Sequence, residues 1–164
     1  MHNPKNPISH DLGYLLATLA VAKTLLNGYY DKKRVTGAIL VHTNRILAIG
    51  YDNPETGETA ELMALSQVGY DAPGAILYTS MAPSRMVFYN QLPLLLKSKI
   101  SCLIYGYCDP VSPAGALNDG SQQNILRQIE EAGIQLSYLR MPELLGFYAP
   151  YRFAEVAFSH PQYR

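Results

Sequence analysis

The chain has 164 residues, 48% of them hydrophobic and 16% charged, which excludes a disordered chain or a polyelectrolyte. Its 13 Lys and Arg balance 13 Asp and Glu. No global charge therefore draws it to nucleic acid or to a membrane surface, and nothing repels one copy from another.

This length suits one domain over residues 1–164, able to fold without a metal or disulfide staple. A Pro- and Asn-rich arm occupies 1–8 and a Tyr-rich segment 141–164. Thirteen Tyr with no Trp is an unusual aromatic balance, favouring pockets and interfaces. Cys102 and Cys108 are too few for a disulfide framework. No charged-then-apolar leader precedes the first helical segment. The apolar run over 12–26 is interrupted by Gly13, Thr18, Lys23 and Thr24, so it predicts no membrane span, and the cytoplasm is the expected compartment.

Ser9 can cap a first helix that Asn27-Gly28 would stop. Its leucines cover more than one face, which predicts burial against a sheet and a partner chain. Strands are expected over 35–41 and 46–51, joined by a turn at His42-Thr43-Asn44-Arg45. Asn53 to Gly57 has turn chemistry, and 60–68 has helical spacing. A third strand follows over 74–79. Residues 84–97 read as helical but contain Pro93, so a kink or two short pieces is expected. A fourth strand spans 100–108, and Asp-Pro, Ser-Pro and Asp-Gly mark a loop over 109–120. Ser121 caps a helix over 122–132 that Gly133 ends, a fifth strand covers 134–140, and a last helix falls near 151–158. Strands alternating with helices predict an α/β protein: a mixed five-stranded sheet covered on both faces, its last two strands parallel.

Thr59-Ala60-Glu61, the stretch Gly74-Ala75-Ile76-Leu77-Tyr78-Thr79-Ser80-Met81-Ala82-Pro83-Ser84, the hairpin residues 35–41 and 44–46, and Asp109-Pro110 together resemble the cytidine deaminase-like superfamily. The resemblance covers roughly residues 12–138. The helix between the last two strands is similar to that of the deoxycytidylate, tRNA-adenosine and riboflavin-pathway branch. It implies a three-layer α/β/α fold. It also implies zinc held by one His and two Cys, with a Glu that shuttles protons.

Here the motif departs from the family. Thr59 stands at the His position and Ser84 at the first Cys position. Val87 or Pro93, depending on spacing, stands at the second. None is a zinc ligand, so no metal or other cofactor is expected. Cys102 and Cys108 lie six apart on one predicted strand, on one face by parity but about 20 Å apart, too far for one ion. Glu61 alone stays in place, as a proton shuttle or as a first-turn acid favoured by the helix dipole. Desolvation is expected to raise its pKa above the pull of the helix terminus only when a ligand closes the pocket.

Thr59 and Ser84 can cap their helices, bond a ligand, or do both. Two helix N-termini facing one pocket would offer unpaired N–H donors to an anionic or carbonyl-bearing group. Arg85 beside one terminus and Lys33 ahead of the first strand are ligand candidates or solvated cations. Asn53 is a ligand candidate or a turn former. Alternation puts Leu103, Tyr105 and Tyr107 on one strand face. Tyr148, Tyr151 and Phe153 pack the C-terminal segment or close over the pocket.

Three functions remain open. The chain is a zinc-independent enzyme acting on a small nitrogen heterocycle or biosynthetic intermediate through Glu61. It is a catalytically inactive relative that binds a ligand or stabilises a partner. Or it is a deaminase with an unrecognised metal site. A small-molecule ligand and a homodimer or homotetramer are the expected partners, with no nucleic acid and no membrane.

Overall fold

β1 (Gly37–His42) and β2 (Arg45–Tyr51) form the antiparallel hairpin that the sequence predicts. In this computed structural model, which describes residues 8–24, 35–53, 55–83, 91–108 and 122–148, Thr43 and Asn44 carry the turn with φ of 46° and 59°. Two left-handed residues in a row match the twist of the flanking strands. The remaining elements are α1 (Ile8–Thr24) before the hairpin, then α2 (Ala60–Ser66), β3 (Ile76–Thr79), α3 (Leu92–Leu96), β4 (Cys102–Tyr105), α4 (Gln122–Glu131) and β5 (Gln135–Tyr138). Residues 142–148 are also helical.

The strand order is β2-β1-β3-β4-β5. β1 runs antiparallel to both its neighbours, while β3, β4 and β5 are mutually parallel. The parallel pairing expected for the last two strands therefore extends to a third. Because β1 alone is reversed, β2, β3, β4 and β5 all finish at the same end of the sheet.

Alternation along the strands divides the core into two layers. Ala38, Leu40, Leu77, Leu103 and Tyr105 pack with Leu62 and Leu65 of α2, Leu95 of α3 and Ile125 and Ile129 of α4. Ile39, Val41, Tyr78 and Ile104 face the other way, onto Leu15 and Leu19 of α1 and onto Leu144 and Tyr148. The result is a three-layer α/β/α arrangement.

Two glycines bring helices against strand backbones. A Cβ on Gly37 would lie 2.1 Å from the Thr18 carbonyl oxygen of α1, and one on Gly50 would lie 2.0 Å from the Ala60 carbonyl oxygen of α2. At the far end of α4, Gly133 has φ of 86°. Its N–H donates to Glu130 O and that of Ile134 to Ile129 O, which satisfies two carbonyls of the last turn.

β2 is an edge strand, and Ile46, Leu47, Ile49 and Tyr51 are exposed on it, as is Leu16 on α1. Pairing with β1 slips between Leu40 and Val41, so that Leu40 faces Ala48, Val41 faces Ile46 and Leu47 is the extra residue. The Gln67 side chain donates to the Ile49 carbonyl at 2.7 Å.

Several expectations need correction. β4 ends at Tyr105, not Cys108, and regular alternation ends with it. Tyr107 therefore packs in the α1 layer while Leu103 and Tyr105 pack in the other. The two cysteines separate the same way: Cys102 packs against the α1 layer and Cys108 against the α2–α4 layer, so the shared face inferred from parity does not exist. α1 begins at Ile8, one residue before the expected cap Ser9. The sequence did not indicate the helix over 142–148, which opens on Pro142, where a missing N–H costs nothing. Of the piece expected over 84–97, the described part is the single turn α3, with Pro93 in its first turn. The Asn27-Gly28 stop, the loop over 109–120, the Ser121 cap, the helix near 151–158, Tyr151 and Phe153 lie outside the described residues.

Candidate functional site

The end of the sheet where four strands finish is where α/β proteins build ligand sites. Here β2 leads through Asp52 into a loop that delivers the N-terminus of α2. Asn53 organises that loop. Its side-chain oxygen accepts from the N–H groups of Glu55 at 3.0 Å and Thr56 at 3.4 Å. Its backbone N–H donates to Glu58 O at 2.8 Å, and its carbonyl accepts from Gly57 at 2.9 Å. Glu58 N–H donates to Thr56 Oγ1 at 3.2 Å. The turn-forming reading thus describes what the Asn53 oxygen does. Gln91, at the cap of α3, ties the loop down from the other side: its amide donates to Gly57 O at 3.1 Å and its oxygen accepts from Thr59 N–H at 3.2 Å.

Thr59, 1% exposed, is the N-cap of α2, with φ −78° and ψ 160°. Its hydroxyl accepts from Leu62 N–H at 3.4 Å, and its carbonyl takes the first helical bond, from Met63. The same hydroxyl and Glu61's own backbone N–H favour the charged form of the Glu61 carboxyl.

Asp52 was missed by sequence reasoning, which chose its neighbour Asn53. It is 7% exposed. Oδ2 accepts from Thr36 N–H at 2.8 Å and Oδ1 from Ala60 N–H at 2.9 Å. One side chain thus joins the entry to β1 with the first residue of α2. The available signal was an acid placed directly after an apolar strand and before a helix start.

Glu61 is 3% exposed. Burial pushes its carboxyl from the usual 4.5 up to about 7, and the nearby Asp52 charge adds to the rise, against the bonds from its own N–H and Thr59. Burial likewise pushes Asp52 up to about 6, opposed by the N–H groups of Ala60 and Thr36. The protein's own packing desolvates Glu61, so no ligand is needed for desolvation to win. The donor argument also needs correction at α2. Ala60 N–H is taken by Asp52 and Leu62 N–H by Thr59. This terminus carries two buried acids and already spends two of its first donors within the chain.

Beside this loop a second buried network closes the entry to β1. Gly37 N–H donates to Ser80 Oγ at 3.0 Å, Tyr148 Oη donates to Val35 O at 2.7 Å, and the two hydroxyls share a hydrogen bond at 2.6 Å. Tyr148 is therefore a core residue bonded on both sides. Tyr148→Phe leaves the Val35 carbonyl and the Ser80 hydroxyl short of a partner. It should cost about 1–3 kcal/mol in urea denaturation, and a loss below the reproducibility of that measurement would refute the network.

The structure brings Thr59 and Glu61 together and sets Asn53 in the preceding loop. Ser84, Arg85, Lys33 and Val87 lie outside the described residues. At the position where the resemblance implies a zinc-ligating imidazole, Thr59 offers a hydroxyl that already accepts from Leu62 N–H, which is not a zinc ligand of the family kind. No group of three or more His, Cys, Asp or Glu among the described residues could hold a metal. Burial, then the Asp11 charge, pushes the Cys102 thiol up to about 11, away from the thiolate that a metal needs. Among the described residues no helix is long and apolar enough to cross a membrane.

No family model matches the chain. The riboflavin biosynthesis protein RibD of Aquifex aeolicus is 30% identical over 104 residues, which cover 61% of this chain and 28% of that protein. The chain thus spans little more than a quarter of that relative's length. A solved structure of Acinetobacter baumannii RibD matches with a TM-score of 0.73 at 19% identity, over 92% of this chain and 41% of that one. The dCMP deaminase of cyanophage S-TIM5 matches with a TM-score of 0.60 at 13% identity, over 81% of this chain and 99% of its own. The chain has the cytidine deaminase-like fold and is related in sequence to one part of RibD.

Proposed function

We propose that the chain binds a small nitrogen heterocycle, or a related biosynthetic intermediate, and acts on it without zinc, with Glu61 as the acid/base. One observation carries the reading: Glu61 is buried at the start of α2 with its carboxyl pushed up to about 7. A carboxyl that exchanges its proton near neutral pH can give it to a ring nitrogen or exocyclic amine and take it back. Thr59 would hold that carboxyl from the cap. Ser84, Arg85 and Lys33 are proposed to contact the ligand, with Asn53 shaping the loop beside it. The relatives support the heterocycle class, since one is named for riboflavin biosynthesis and another for dCMP deamination.

A second reading, an inactive relative that binds a ligand or stabilises a partner, is favoured by the commitment of Thr59 and the α2 donors to bonds within the chain. Turnover of aminopyrimidine and aminopurine nucleotides separates the two. Wild type should convert at least one of them. Glu61→Gln should fold, because the side chains are nearly isosteric, and convert none. Ligand binding by wild type without conversion would select the second reading. Native mass spectrometry of freshly purified protein should give a homodimer or homotetramer without stoichiometric zinc. About one zinc per chain would overturn the zinc-independent mechanism, and a single-chain mass at tens of micromolar would overturn the oligomer.

A further inference from the structure

We propose that Asp52 is the positioning residue for Glu61, and that the two buried carboxyls behave as one acid that keeps a single proton between them. The proposal rests on the reading of Glu61 as the acid/base and names the residue that sets its geometry and its proton.

The geometry begins with Ala60, the residue before Glu61. Its N–H is bonded by Asp52 Oδ1 at 2.9 Å. Its carbonyl lies so close to β2 that a Cβ on Gly50 would stand 2.0 Å from it. Gly50 lies on β2 and Asp52 directly follows its last residue, so this end of β2 meets the first residue of α2 at both its N–H and its C=O. Asp52 cannot move to relieve this, because Oδ2 is bonded to Thr36 N–H at 2.8 Å, ahead of β1. Glu61 therefore starts from a peptide fixed against the end of β2 and, through Asp52, the entry to β1.

The charge argument follows from the same placement. Both acids are more than nine-tenths out of solvent. Among the described residues, Asp52 on the β2 side is the charged group that acts on Glu61. Its own helix adds no charge, and the contribution from the α3 side, Gln91 through Thr59, is neutral. Two buried acids joined through the Ala60 peptide, whose N–H Asp52 holds at 2.9 Å and whose carbonyl leads into Glu61, resist ionising together in a dry setting, so the pair gives up its protons in two steps. Asp52 has two N–H donors on its oxygens and is the better seat for the charge. Glu61 is then the better seat for the proton.

The test is a carboxyl ¹³C NMR titration of the full chain as wild type, Asp52→Asn and Glu61→Gln. Asp52→Asn should lower the Glu61 midpoint by about one pH unit, and Glu61→Gln should lower the Asp52 midpoint by a similar amount, because coupling is reciprocal. An unchanged midpoint in either folded variant overturns the proposal. If Asp52→Asn does not fold, the Glu61→Gln arm still decides, since that variant removes a buried charge at nearly constant shape. A general loss of structure would not produce matched reciprocal shifts. Wherever turnover is measurable, Asp52→Asn should move the acid limb of its pH profile down with the Glu61 midpoint, and a profile lowered at every pH without displacement counts against the proposal. Reciprocal shifts alongside full turnover by Glu61→Gln would leave the pair standing and refute the acid/base reading. Lost turnover without the shifts would do the reverse.

Discussion

Gly50→Ala should lower the stability of the chain by about 3 kcal/mol or more, the upper end of what overpacking costs. The added methyl would meet the Ala60 carbonyl oxygen at 2.0 Å and the Ala64 nitrogen at 2.7 Å. Both are backbone atoms of α2, so no rotamer change relieves the contact, and the helix itself must lift from β2. Lifting it exposes Leu62 and Leu65, both fully buried, and pulls Ala60 N–H away from Asp52. Gly13→Ala is the matched control. Nothing lies within 4 Å of a Cβ there, and the residue sits inside α1, so alanine should stabilise by about 0.5–1 kcal/mol. Urea denaturation of both variants checks the pair, and equal effects would refute the contact between α2 and β2.

Stability should also fall as pH rises from about 4 to above 7, opposite to the usual rise in that range for an acid held by salt bridges. The sign follows from the two buried acids. Asp52 at about 6 and Glu61 at about 7 bind protons more tightly in the folded chain than at the ordinary 3.8 and 4.5. Below the unfolded values both states are protonated and no penalty applies. Between the unfolded and folded values the unfolded chain releases protons that the folded chain keeps, so each step up in pH favours unfolding. About one pH unit above the folded Glu61 value the penalty is complete and the curve flattens. The loss is on the order of 2–3 kcal/mol per group. Glu61→Gln removes one of these groups. The variant should match wild type near pH 4.5, exceed it by about 2–3 kcal/mol or more near pH 8 and lose less than half as much stability between. Thermal melts of the two proteins across that range measure it. A wild-type stability that rises through the range would show that Glu61 is solvated.

Local chemistry made much of this fold legible. The hairpin was visible because Asn44 accepts a left-handed backbone and the flanking residues alternate. Gly133 was visible as a helix stop for the same steric reason. The exact strand ends were not visible, because Ile100 to Cys108 keeps its apolar character after pairing stops at Tyr105. Parity counted through Gly106 then sent Tyr107 and Cys108 to the wrong faces. At the site, the Thr59-Ala60-Glu61 motif located the start of α2. Asp52 escaped because its two partners are 8 and 16 residues away. Nothing local distinguishes an acid that bridges two backbone segments from one in a solvated turn, whereas Asn53 advertised its turn through Pro54 and Gly57. The pKa of Glu61 escaped for a related reason: burial by α2's own packing is a property of the whole three-layer stack.

The edge at β2 bears on how the protein behaves when concentrated. A terminal strand with exposed Ile46, Leu47, Ile49 and Tyr51 is a template onto which another strand can be laid, the first step towards ordered fibres. Zero net charge supplies no repulsion to prevent it. Two local features stand in the way. The Gln67 amide occupies the Ile49 carbonyl at 2.7 Å, and the irregular pairing around Leu47 twists the edge away from a flat incoming strand. Among the described residues, one glutamine and one extra residue thus set this edge apart from a flat, open template, and a variant that regularised the hairpin would remove one of these two features.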